Sequence, residues 1–111
     1  MTLKRVILEM GSGNDLHGSN YTKAAIRAVE DALHHSSLTM IRTLDINKND
    51  VKVDVTVGVQ KPDQVDIEAV KKILPVGTVS VSAVLGGLDV PDDERDDPAV
   101  IASAAIDVRL D

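Results

Sequence analysis

Cysteine is absent from the 111-residue chain, which removes disulfides, thiolate metal sites and cysteine nucleophiles together. Phenylalanine and tryptophan are absent too, leaving Tyr21 as the single aromatic residue. The core must therefore be aliphatic, and no aromatic platform exists on which bases could stack. Positive charge is scarce: 12 basic residues stand against 18 acidic ones, for a net charge of −6. That balance opposes phosphate backbones and anionic lipid, so neither nucleic acid nor a membrane is an expected partner. Long apolar runs are missing as well. Val6, Ile7 and Leu8 are followed at once by Glu9, far short of a signal-peptide core or a membrane span, and the expected location is the cytoplasm. What remains, 43% apolar and 27% charged residues, is ordinary globular composition. At this length it makes one domain, residues 1–111, because two cores would leave each half too small to fold comfortably alone.

The segment Lys4 to Met10 is rich in β-branched and apolar residues and runs into Gly11-Ser12-Gly13-Asn14-Asp15. It reads as a strand followed by a loop. From Tyr21, the positions Ala24, Ala25, Ala28, Val29, Ala32 and Leu33 recur at helical spacing, with Ser19 or Asn20 placed to cap the first turn. Met40, Ile41 and Leu44 are further core candidates. Val51, Val53, Val55, Val57 and Val59 alternate with Lys52, Asp54, Thr56 and Gly58, the period of a strand buried on one face. Asp66 can cap a second helix carrying Ile67, Val70, Ile73 and Leu74. Val79, Val81, Ala83 and Leu85 predict a third strand, ended by Gly86-Gly87. Val100, Ala102, Ala104, Ile106 and Val108 predict a last one, after an exposed acidic loop at Asp92 to Asp97.

The order is βαβαββ, an α+β fold with a four-stranded mixed sheet, and right-handed crossovers place both helices on one face. The other face is left uncovered. It would carry Thr56, Gly58, Gln60, Ser80, Ser82, Ser103 and Ala105, small residues against which a partner sheet could pack. Self-association is the preferred reading, a trimer slightly ahead of a dimer or tetramer; a plain wet face is the alternative.

Chemistry-bearing residues gather between the first strand and first helix. Gly11, Gly13, Asn14, Asp15, His17, Gly18, Asn20 and Lys23 form a candidate ligand site, because a glycine-rich loop and a helix N-terminus together present N–H groups to an anion. Leu16 and Ser19 stand where a dinucleotide fingerprint or a P-loop would need glycine and lysine, so no nucleotide cofactor is expected. The helix charges run backwards, with Lys23 and Arg27 early and Glu30 and Asp31 late, although helices favour the opposite arrangement. Either a bound small anionic metabolite, or Asp15 or Glu9 folding back, would account for this. Asp15, His17 and Glu9 are the candidates for acid–base work. No metal site is assigned, and no residue pattern names a reaction.

Glu9-Met10-Gly11-Ser12-Gly13-Asn14-Asp15-Leu16-His17-Gly18 with Tyr21-Thr22-Lys23-Ala24-Ala25 resembles the opening of a family of small conserved bacterial hypothetical proteins known by a Lin locus tag. Gly58-Val59-Gln60, Gly86-Gly87-Leu88 and Ala102-Ser103-Ala104-Ala105-Ile106 extend the resemblance along the chain. It implies a family without an assigned activity. The βαβαββ order is also similar to the fold of bacterial chorismate mutases, YjgF-like proteins and the C-terminal domain of tubulin-like proteins. That likeness implies rings with sites between subunits, at the level of fold alone.

Overall fold

The computed structural model describes residues 3–34, 50–74 and 77–110. Met40, Ile41 and Leu44 lie outside them. The elements are β1 (Lys4–Asp15), α1 (Tyr21–His34), β2 (Val51–Val59), a 3-10 turn (Pro62–Gln64), α2 (Ile67–Lys71), β3 (Thr78–Leu85), β4 (Leu88–Asp92) and β5 (Arg95–Leu110). The fold is α+β, as expected, but the mixed sheet has five strands instead of four. The extra strand, β4, is short and contains Pro91, and it forms a hairpin with β5 whose tip is Asp93 and Glu94. The acidic stretch is thus partly strand, with the turn itself solvated as expected.

The strand order is β1-β5-β2-β3. The 16-residue β5 is the spine: β1 pairs along one side of it, while β2 and then β4 share the other. Only β2 and β3 are parallel neighbours, joined by the crossover that contains α2. Both helices lie on one face. The predicted alternation holds residue by residue on β2 and β5, since Val51, Val53, Val55, Val57, Val59, Val100, Ala102, Ala104, Ile106 and Val108 are all buried beneath the helices; on β3, Val79, Val81 and Ala83 are half-buried and Leu85, at the strand end, is exposed. From α1 the same core receives Tyr21, Ala24, Ala25, Ala28, Val29 and Ala32. Among the described residues no helix is long and apolar enough to cross a membrane.

Candidate functional site

The segment expected as a glycine loop is strand. β1 continues to Asp15, with Gly11 opposite Ala104 and Gly13 opposite Ala102 on β5. The glycines serve contact with α1. A Cβ on Gly11 would fall 2.5 Å from the Ala28 carbonyl oxygen, and one on Gly13 would fall 2.6 Å from the carbonyl carbon of Arg27 and 2.7 Å from the Ala24 oxygen. These are backbone atoms of the helix, which have no rotamer to escape into. Gly11 and Gly13 therefore let an alanine-faced helix lie directly on the strand, and this close approach, not turn geometry, explains them.

The loop proper is Leu16 to Asn20, where Gly18 (φ 94°) and Ser19 (φ 48°) take left-handed conformations. Of the two cap candidates, Asn20 caps α1, its Oδ1 accepting from the Lys23 N–H at 3.0 Å. Asp15 closes the loop from below: buried at 4% exposure, it accepts from the Asn20 N–H at 2.9 Å. Its other oxygen lies 3.9 Å from Lys23 Nζ and 3.7 Å from Arg27 Nη1. The backward charges of α1 thus have internal partners. Arg27 also donates to the Asn14 carbonyl at 2.7 Å, and Asp31, late in the helix, accepts from the Ser12 N–H at 3.0 Å. Both are backbone groups of β1 on the side away from β5. One turn apart, Arg27 and Asp31 supply respectively the donor and the acceptor that these two edge groups otherwise lack.

The acid–base candidates do not converge. Glu9 stands six residues up the same strand, about 20 Å from Asp15, and Asp15 is turned under the helix. His17 is exposed and pairs with Asp97 of β5, Nδ1 to Oδ2 at 3.3 Å, while the Gly18 N–H donates to the other Asp97 oxygen at 2.9 Å. Asp97 pins the loop, a role hidden in the sequence by its place in an acidic run. Asp89 of β4 was equally inconspicuous. It accepts a short hydrogen bond from the Tyr21 hydroxyl, and its second oxygen is buried with no hydrogen-bond partner among the described residues. Among those residues no group of three His, Asp or Glu side chains is arranged for a metal ion.

Burial, then the hydrogen bond and negative charge of Asp89, push the Tyr21 hydroxyl up to about 12. An unfolded tyrosine ionises near 10, so between pH 10 and 12 the folded chain holds a proton that the unfolded chain has released. Stability should therefore be lost as pH rises through that window. Tyr21 is the only aromatic residue, so phenolate absorbance reports it alone. An absorbance midpoint near 10 in the folded protein would contradict the buried pair.

The face of the sheet opposite the helices is bare among the described residues. Across it run the rows Met10–Ala105–Thr56–Ser82 and Ser12–Ser103–Gly58–Val84. Gln60 is not part of this face: it lies just past β2 and donates to the carbonyls of Gly86 and Gly87. Large apolar side chains border the small ones, with Leu8 45%, Met10 70%, Val84 45%, Leu88 60% and Val90 45% exposed. Charges collect at one end, where Asp107 takes Arg5 at 3.0 Å and Arg109 at 3.2 Å. Burial raises the Asp107 carboxyl, but these two guanidiniums outweigh it and hold it below the ordinary range.

A family model described as a conserved hypothetical protein (Lin0512_fam) matches residues 5–108. The chain is also similar to an FtsZ-like protein of unknown function from Nostoc punctiforme, known from a crystal structure. The two are 34% identical, with a TM-score of 0.84, over 100% of this chain and 98% of that one. No curated protein matches the chain.

Proposed function

The chain belongs to the Lin0512 family of conserved hypothetical proteins, and from that premise we propose that it works by associating with copies of itself, as a structural or regulatory module. The observation that carries this reading is the uncovered sheet face. A sheet face that stays in water is usually covered by long polar side chains; here the central rows hold serine, threonine, alanine and glycine, bordered by exposed leucine, methionine and valine. Small residues allow close approach of a second sheet, and the apolar border supplies the area whose burial drives it. The assembly expected is a trimer ahead of a dimer or tetramer.

The other reading, a small anionic metabolite held at Gly11 to Gly18, has less support. Lys23 and Arg27, the cations it would use, are already turned on Asp15 and on the Asn14 carbonyl. Light scattering at micromolar concentration should give a particle of several times 11.8 kDa. Ala105→Glu, which puts a charge at the centre of the face, should dissociate it while circular dichroism stays unchanged, because a buried unpaired charge costs several kcal/mol. A wild-type particle of one chain mass, or an Ala105→Glu assembly of undiminished size, would overturn the reading.

A further inference from the structure

The sheet's margins are treated differently. On β1 the outward-facing Asn14 carbonyl and Ser12 N–H are held by Arg27 and Asp31 of α1. The short margin of β4 carries Pro91 together with Asp89 and Asp92, the residues by which natural sheets discourage pairing. Among the described residues β3 has neither defence. It pairs with β2 on one side, and among the described residues no strand or side chain meets the backbone on its other side. Its sequence, Thr-Val-Ser-Val-Ser-Ala-Val-Leu, contains no charge and no proline.

The packing is also unfinished there. The inward-facing valines of β2 are 0–1% exposed, whereas Val79, Val81 and Ala83 of β3 are only half-buried. Among the described residues the helical layer above them is the five-residue α2 and the 3-10 turn before it.

We propose that the margin of β3 away from β2 pairs antiparallel with β3 of a second copy, joining the two sheets across a two-fold axis. A second copy is the occupant that the residues favour. The chain carries a net charge of −6, so two copies meet with least repulsion along an uncharged segment. A two-fold pairing is self-complementary. Side chains opposite one another must share a face, so the register sets one β3 residue against itself and places serine beside serine outside and valine beside valine or alanine inside. Such cross-strand pairs are favourable. The half-buried inner row of each copy then gains a neighbour, and the two sheets become one. This inference rests on the self-association reading but uses a different surface.

Hydrogen exchange on the assembled wild-type protein tests it. In a strand paired on one side only, alternate amides face water; paired on both sides, successive amides are held. The expected result is protection at every amide from Val79 to Val84, with the outward-facing ones slowed on the order of 100-fold or more relative to a free edge. Because the chain has no cysteine, single variants Ser80→Cys, Val81→Cys and Ser82→Cys supply a second measurement. One of them should form a disulfide-linked dimer under mild oxidation, and Asn14→Cys on the held margin should not. Alternating protection in an oligomer, with no cross-link above the Asn14→Cys level, would overturn β3 pairing and leave face-to-face association standing. A particle of one chain mass would overturn both.

Discussion

Gly13→Ala is expected to destabilise the fold by roughly 3 kcal/mol, a fall in melting temperature of roughly 15 °C, although it adds one methyl group to a residue that sequence patterning assigns to a loop. The added carbon would meet the Ala28 amide nitrogen, the Arg27 carbonyl carbon and the Ala24 carbonyl oxygen. All three belong to the backbone of α1, so relief requires the whole helix to lift from β1. Lifting it loosens Ala24, Ala28 and Val29, each 0% exposed, and stretches the Arg27 and Asp31 contacts to the strand margin. Ser12→Ala is the matched control. Ser12 is exposed, and only its amide is held, by Asp31, so the change should stay within about 0.5 kcal/mol. Urea denaturation of the three proteins checks this. A Gly13→Ala midpoint equal to wild type would mean that helix and strand are further apart than described.

Asp15→Ala carries the second large effect, about 3 kcal/mol. The substitution leaves the Asn20 amide without its acceptor and opens a small void under the loop. It also removes the anion beside Lys23 and Arg27. That last contribution is the smallest, because both cations are about half exposed and water screens them. Asp15→Asn, which keeps an acceptor and loses the charge, should therefore cost less than half as much. The same pair of cations explains what added anions should do. Sulfate stabilises most proteins by exclusion from their surfaces, so the informative quantity is the difference between wild type and Lys23→Ala. With Asp15 already in place as the counter-ion, that difference should vanish in both sulfate and phosphate at matched ionic strength. A gain present only in wild type would restore a ligand to the loop.

The elements most legible in the sequence were those in which one residue class repeats at one period. The five valines of β2 and the alternating apolar residues of β5 gave their buried faces directly, and the apolar stripe of α1 gave its start, with the cap narrowed to Ser19 or Asn20, of which Asn20 is the one used. Legibility failed where a residue type has two physical uses. Gly11-Ser12-Gly13-Asn14-Asp15 has the composition of a turn, yet glycine also marks a place where backbones touch. The signal separating these uses was present in the partner: Ala24, Ala28 and Ala32 make the buried stripe of α1 unusually flat, which only a strand with missing side chains can exploit. For the reversed helix charges the sequence leaves open a bound anion or Asp15 or Glu9 folding back, and Asp15 is the group beside Lys23 and Arg27; the contacts of Arg27 and Asp31 to backbone atoms of Asn14 and Ser12 were not legible, because a sequence pattern shows side chains only. Asp89 and Asp97 were lost for a related reason, since each acts across 68 and 79 to 80 positions of sequence.

The grip of Arg27 and Asp31 on β1 sets a limit on growth. A sheet open at both margins adds copies without end, which is the geometry of a fibril. Here the Ser12 and Asn14 backbone groups of one margin are taken by the chain's own helix, so on the proposed β3 pairing that stretch would not serve as a second site of addition. On the proposed pairing, two side chains one turn apart would bias association toward a closed pair and against a growing sheet.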